Sequence, residues 1–429
     1  MTAYLLDWCG LLVRWLHVIA GIAWIGSSFY FVWLDNSLQP LGEREPPDPR
    51  VAGELWAVHG GGFYRSRKYR VAPEVLPTTL HWFYWEAYTT WLSGFALLCL
   101  LYFLRAEGYL IDPAVLVLSK AMAIGLALGA IVTSWLIYDG LCRTLGQKPR
   151  ALAASVAIVT AIEAWALCQV FSGRGAFMVF GAALGSIMVA NVLLVIIPGQ
   201  RELVRAKQEG REPDPGPGLR GKQRSVHNTY FTLPVLFVMI SNHYAMTYGA
   251  HYNWVVLIAM SFAGACIRGW FVARQKPEGR QGLMAALPAV LGVATLAALV
   301  VGLAPRGLGA GTGVAGGANV APGQASAGLQ AALADRGGRL PTVDVAQVQS
   351  IVEQRCAPCH SKNPTLLGLT APPNGVALET LDEVRAHLPE IRQQISLRAM
   401  PLGNLTGMTE DERAKLLMWI GHGAAGGAP

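Results

Sequence analysis

Long apolar runs separated by short charged stretches dominate the first three hundred residues. Eight of these runs, at about 8–34, 78–104, 114–138, 151–171, 175–197, 226–247, 251–273 and 283–303, approach the roughly 20 residues that a membrane-spanning helix needs. Isolated polar residues interrupt several of them, yet none has the broad polar face of an amphipathic soluble helix. From Ala304 to about Pro341 the pattern collapses into Gly, Ala and Pro (GLGAGTGVAGGANVAPGQASAG), too poor in large apolar side chains to fold alone. Beyond it the pattern returns to short amphipathic elements. Val345, Val348, Ile351 and Val352 stand at helical spacing, a loop-rich middle follows, and a last helix carries Leu416, Leu417, Trp419 and Ile420 on its apolar side. Thr409-Glu410-Asp411-Glu412 opens that helix with a capping-box pattern. The expected architecture is all-α: a polytopic membrane bundle of about eight transmembrane helices over 1–303, a flexible linker over 304–341, and a small helical domain over 342–429.

Composition agrees with this division, since 53% hydrophobic residues against 14% charged is not the balance of a soluble chain. The net charge of +7 would suggest nucleic acid only if it formed a basic face on a soluble domain. Here it lies between the apolar runs, so no nucleic-acid partner is expected and the lipid bilayer is. The connections after runs 1, 3, 5 and 7 hold six, three, seven and three Lys or Arg, while those after runs 2, 4 and 6 hold only Arg105, Arg174 and none. By the positive-inside rule the odd connections are cytoplasmic and both termini lie outside. The first run is too long for a cleavable signal and lacks an Ala-x-Ala-like site, so it reads as the first span.

The sharpest chemical signal is Cys356-Ala357-Pro358-Cys359-His360. With seven Cys and nine His in 429 residues, chance would supply a Cys-x-x-Cys-His about 0.002 times. The pattern attaches c-type haem: two thiols bond to the vinyl groups and the histidine ligates iron. Half a zinc site would need a second ligand pair, whereas His387 and His422 stand alone; a redox dithiol would leave His360 unexplained. The segment 342–429 therefore reads as a small class I-like cytochrome c domain with one covalent haem c. Haem c is attached on the outer face of a bacterial inner membrane, which agrees with the charge-derived topology and makes the domain periplasmic. The sixth ligand is sought after the motif, and Met400 is favoured because Pro401 holds it in an extended loop. Met408 adjoins the final helix and Met418 lies inside it.

Ionisable residues inside the apolar runs are expensive and mark function. Asp7, Arg14, His17, Gly21, Ser28 and Asp35 fall within a sector of about 80° on the first helix, a stripe expected to face the bundle interior. His17 is a candidate ligand for a haem b there, with Arg14 contacting a haem propionate or substrate; the competing reading is a structural hydrogen-bonded pair. His81, His227 and His243 are further candidate haem b ligands, paired by depth as His17 with His243 and His81 with His227. Glu86 and Glu163 are candidates for proton handling, or else for satisfied interhelical hydrogen bonds. His59 opens the glycine run His59-Gly60-Gly61-Gly62-Phe63-Tyr64, where a backbone can approach a ligand closely, and the basic residues from Arg65 to Arg70 would attract an anion. A flexible turn with ordinary cytoplasmic charge is the simpler reading of that stretch.

The segments RWLHVIAGIAWIGSSFYFVWLD (14–35), HGGGFY (59–64), LHWFYWEAYTTWLSGF (80–95), HNTYFTLPVLFVMISNHY (227–244) and RAMPLGNLTGMT (398–409) resemble the bacterial membrane-bound urate hydroxylase, a urate oxidase family with a C-terminal cytochrome c domain. The family pattern has proline after the His-Tyr of the sixth run and histidine directly after the next glycine, where this chain has Ala245 and Gly249-Ala250-His251. The resemblance implies an oxidoreductase of purine catabolism that converts urate to 5-hydroxyisourate and passes electrons to the cytochrome and on to a downstream cytochrome or terminal oxidase. His59 and Glu86 are the candidate catalytic residues. The start of the first run further resembles a haem-biosynthesis membrane protein in which such a histidine binds haem b. The alternative is a membrane cytochrome subunit that oxidises quinol or a partner enzyme and has no organic substrate. The oligomeric state is left open.

Overall fold

The computed structural model describes residues 2–42, 46, 48–275, 283–304, 344–366, 369, 372–396 and 398–421. The linker expected over 304–341 lies almost wholly outside the described residues, as does the side chain of Asp7. The chain divides into two compact units, Met1–Leu299 and Val300–Pro429.

In the first unit each of the eight apolar runs is helical through its centre. The helices are α1 (Thr2–Asn36), α2 (Trp85–Leu97), α3 (Lys120–Leu145), α4 (Pro149–Val170), α5 (Gly173–Asn191), α6 (Pro215–Ser241), α7 (Asn253–Ala273) and α8 (Leu283–Gly302). Local chemistry sets several starts. Ser119 and Ser172 accept from the backbone N–H of Met122 and Gly175, Asp214 from that of Gly216, and Pro149 and Pro215 occupy the first turns of α4 and α6. A π-helical stretch, Leu98–Phe103, prolongs α2, and a second, Val192–Ile196, carries α5 into Ile197–Gln208.

Among the described residues five helices are long and apolar enough to cross a membrane: Tyr4–Asn36, Lys120–Leu145, Pro149–Val170, Gly173–Gln208 and Asn253–Ala273. The other three expected spans are helices of a different character. Residues 78–84 are not helical, so α2 begins only at Trp85; α6 opens with two to three turns rich in Arg, Lys and Gln; and the apolar helix at Ala286–Gly302 is short.

The bundle is organised on α5, where Phe177, Val179, Phe180, Ala183 and Leu184 are buried. Gly181 lets α6 close on it, because a Cβ there would stand 2.6 Å from Val238 Cγ1. By contrast α1 packs chiefly on α2 and leaves most of its length uncovered.

The all-α expectation needs one correction. The connection after α1 contains an antiparallel hairpin, β1 (Val51–His59) with β2 (Gly62–Tyr69), paired from Val51↔Tyr69 to His59↔Gly62. Gly60 and Gly61, with φ of 57° and 81°, make the two-residue turn that tight hairpins require. Gly-Gly between two strand-compatible runs carries the hairpin signal, although the basic residues of the second run resemble those of an ordinary cytoplasmic connection. Those residues also differ from the anion-attracting cluster expected: Arg65 and Arg67 bond to the buried Glu54, and Lys68 to Asp35.

The second unit contains α9 (Val345–Ile351), α10 (Leu381–Ala386), α11 (Leu388–Ser396) and α12 (Glu410–Gly421). A π-helical stretch (Val352–Cys356) and one further turn (Ala357–His360) lead α9 into the cysteine motif. Its core gathers Val348, Ile351, Val352, Leu378, Val384, Ile395, Met408, Leu416, Trp419 and Ile420, so most of the apolar positions expected on the first and last helices face inward, with Leu417 partly buried against the core and Val345 half-buried outside it. The capping box forms as well: Glu412 N–H donates to Thr409 Oγ1 and Thr409 N–H to Glu412 Oε2.

Candidate functional site

His17 is held between two helices. Its Nδ1 lies 2.9 Å from the Thr90 carbonyl and 3.1 Å from Ser93 Oγ on α2. A carbonyl only accepts, so Nδ1 carries the hydrogen and Nε2 of the neutral ring keeps its lone pair. The hydroxyls of Thr90 and Ser93 bond back to the Glu86 and Thr89 carbonyls, which fixes the surface against which the ring sits. The glycine that makes room is Gly94 on α2, where a Cβ would stand 2.8 Å from His17 Cε1; the expected Gly21 instead faces Thr90. The first-helix stripe is thus only partly inward. Arg14 is exposed, because α1 lies at the edge of the bundle.

His227 is bound differently. Tyr138 Oη, 2.8 Å from His227 Nδ1, also accepts from Asn191 Nδ2 at 3.1 Å. Cys142 Sγ lies 3.8 Å from the same Nδ1, so a hydroxyl and a thiol, each able to donate or accept, face it in place of a carbonyl. Asn191 Nδ2 also reaches Asn228 Oδ1 at 2.8 Å, Asn228 donates to the Met188 carbonyl, and Arg224 donates to Asp139 Oδ1 at 2.6 Å. The guanidinium of Arg224 lies 5.0 Å from the Tyr138 ring centroid. These residues join α3, α5 and α6 into one buried polar network. Sequence reasoning placed His227 here and missed Tyr138, Asn191, Arg224 and Asn228. Their signal was the four-residue spacing of Arg224, Asn228 and Thr232, which marks one face of α6; Arg224 was instead counted with the connecting charges. A cleft of about 440 Å³ opens beside the network, lined by Asp139, Arg143, Glu202, Arg220 and Arg224 among others. On its other side Tyr138 lines a cavity of about 10 Å³ with Ser134 and Glu163, which bond to each other across α3 and α4.

The remaining candidates are scattered. His59 is exposed beside the hairpin turn, His81 is exposed in the extended segment before α2 with its ring against Phe83, and Glu86 is half-buried in the first turn of α2. His243 is exposed two residues beyond the end of α6 rather than within it. Among the described residues neither expected pair, His17 with His243 or His81 with His227, is in hydrogen-bond or ring contact.

In the second unit His360 Nδ1 donates to the Val376 carbonyl at 2.9 Å, which again leaves Nε2 for an iron. Cys356 packs against the core, and burial pushes its thiol up to about 12; burial raises Cys359 too. A reactive Cys-x-x-Cys dithiol requires the opposite shift. Nor do three His, Cys, Asp or Glu side chains converge as a zinc site requires among the described residues. The donor set therefore fits covalent haem c. Met400 is half-buried, with its carbonyl accepting from Arg413 at 2.8 Å, whereas Met408 is packed in the core and Met418 is exposed on α12.

No curated protein and no solved structure is similar enough to be matched with this chain. A family model does match, described as urate oxidase N-terminal, and it extends over residues 3–301. That span takes in α1 to α8 but for one terminal residue at each end, together with His17 and the Tyr138–His227 network, and it stops before the cysteine motif. The chain therefore belongs to the urate oxidase N-terminal family.

Proposed function

We propose that this chain is a membrane-bound urate oxidoreductase in which the helical unit oxidises urate to 5-hydroxyisourate and the C-terminal unit carries the electrons away through haem c. The observation that carries the reading is the presence in one chain of the family match over 3–301 and a Cys356-x-x-Cys359-His360 motif whose histidine is oriented by Val376. Urate and one water give 5-hydroxyisourate, two electrons and two protons.

Cys356 and Cys359 would form the thioethers, and His360 and Met400 would ligate the iron. Haem bound there supplies one-electron acceptance at a relatively high potential. Every other part of the task falls to the chain. His17, with Nδ1 tied to α2, presents Nε2 as a haem b ligand or a substrate acceptor. The Tyr138, Asn191, Arg224 and Asp139 network holds fixed dipoles and a fixed charge at one end of the bundle, and Glu163 with Ser134 borders a water-sized cavity beside it that suits proton release. The charge bias of the connections puts the C-terminal unit in the periplasm of a bacterial inner membrane, and a downstream cytochrome or terminal oxidase receives the electrons.

The test is the loss of urate absorbance in membranes carrying the chain, followed together with reduction of its cytochrome. Urate loss coupled to cytochrome reduction supports the reading. An intact cytochrome with no loss of urate would make the chain an electron-transfer subunit without an organic substrate.

A further inference from the structure

Arginine is rarely buried in an apolar helix without a counter-charge, because desolvation penalises an unpaired cation heavily. The first unit shows how the penalty is ordinarily met. Arg224, 4% exposed, has Asp139, and the half-buried Arg174 donates through Nη2 to Tyr248 Oη at 2.7 Å and leaves only its Nε without a partner. Arg268 on α7 breaks the pattern. It is 5% exposed, yet its Nε and Nη2 have no hydrogen-bond partner. Two more side chains, one on α7 and one just past its end, share the condition: Ser261 Oγ and Gln275 Oε1 are also buried without partners. Ser261 and Arg268 stand two turns apart on one side of the helix, and Gln275 follows just beyond its C-terminal end.

The guanidinium has one face covered, lying 3.6 Å from the centroid of the Phe29 ring on α1. The atoms left unbonded, Nε and Nη2, form the edge that grips a planar oxyanion with two parallel hydrogen bonds. Arg143 and Arg224, which line the cleft near Asp139, are less suited to this task, since Asp139 already answers both.

We infer that Arg268 binds a planar monoanion edge-on between α1 and α7, with Phe29 against its guanidinium face, and that this anion is urate. The inference rests on the proposed urate oxidation and assigns that reaction a binding residue. An anion arriving at Arg268 replaces water with a preformed cation in a dry setting, so its contact with the Nε/Nη2 edge is both strong and directional. Ser261 and Gln275 offer further polar contacts along the same side of α7. The same edge would also hold a carboxylate, and the one other source of such a group here is a haem propionate, so the experiment separates the two.

The full-length protein in detergent is reduced with dithionite, which stops turnover, and urate binding is measured by equilibrium dialysis. Urate KM and kcat are measured on the oxidised protein, and haem types by pyridine haemochrome. Arg268→Gln is expected to raise both Kd and KM at least tenfold with a smaller change in kcat, and Arg268→Lys, which keeps the charge and loses the fork, to fall between. Phe29→Leu is expected to weaken binding severalfold and serves as the second variant should Arg268→Gln not accumulate with its haem c. Wild-type Kd and KM in these variants, with the unaltered protein still consuming urate, would overturn the assignment of Arg268 and leave the proposed function standing. Unchanged urate binding with loss of a non-covalent haem would assign the edge to a propionate and equally overturn it. Failure of the unaltered protein to bind or oxidise urate would overturn the function itself.

Discussion

His17 gives its Nδ1 hydrogen to the Thr90 carbonyl across the α1–α2 interface at 2.9 Å, and His360 gives its own to the Val376 carbonyl at the same distance. Two histidines in two separate units thus have the disposition in which a ring presents Nε2 to a metal or substrate. His227, whose Nδ1 faces Tyr138 Oη and Cys142 Sγ, has no carbonyl to fix its ring in that disposition.

The first prediction concerns that difference. His17→Ala is expected to remove the b-type signal from the pyridine haemochrome of the purified protein and to leave one c-type haem, whereas His227→Ala keeps both. Gly94→Ala, which drives a methyl group into the His17 ring, should lower urate turnover about tenfold by displacing it, the cost of overpacking being of order 1–3 kcal/mol. A wild-type spectrum in His17→Ala would show that the ring binds no haem.

Removing Cys356 and Cys359 together should abolish covalent haem while leaving the helical unit folded, since the two form separate compact units. Denaturing gel electrophoresis with a haem stain reads the first outcome. Electron transfer from urate to an external cytochrome should fall to background.

Asp139→Asn leaves Arg224, 4% exposed, without its carboxylate. Stripping one partner from a buried ion pair costs about 3–5 kcal/mol, so the unfolding temperature in detergent should drop markedly. Asn191→Leu removes donors to Tyr138 and Asn228 at a residue with no exposed surface and should cost about 2 kcal/mol.

The C-terminal unit should show an acid transition that depends on Glu412. Burial alone would raise this carboxyl, but the Arg355 guanidinium and the N–H and hydroxyl of Thr409 outweigh it and hold the carboxyl below its usual range. A depressed folded-state value means that the stabilisation is present above the ordinary glutamate value near about 4.3 and is lost as pH falls through the lower folded value. Glu412→Gln should therefore cost about 1 kcal/mol at neutral pH. The variant and the parent should converge in strong acid, as read by haem absorbance during urea unfolding.

Particular residues show where sequence reasoning reached and where it stopped. The positions of the helices, the capping box at Thr409 and Glu412, and the inward Val348, Ile351 and Trp419 were legible because each depends on neighbours within a few residues. The hairpin was legible too, through Gly60-Gly61, but its strands carry enough charge to resemble a cytoplasmic connection. Arg14 was misjudged for a physical reason: helical periodicity groups residues on one face and does not say which neighbour, if any, covers that face. The same limit applied to His17, whose stripe was recognised while its partners Thr90, Ser93 and Gly94, more than seventy residues away, were not.

The sequence by itself determined what rests on covalent order: the Cys-x-x-Cys-His spacing of Cys356, Cys359 and His360, the eight helical runs, and the charge asymmetry between their connections. Only tertiary structure decided which ring nitrogen of His17 and His360 is left free, that Asn191 joins Tyr138 to Asn228, and that Arg268 is buried against Phe29 with an unbonded edge. Hydrogen bonds and desolvation are set by groups brought together from distant parts of the chain, so their outcome is not written in any local pattern.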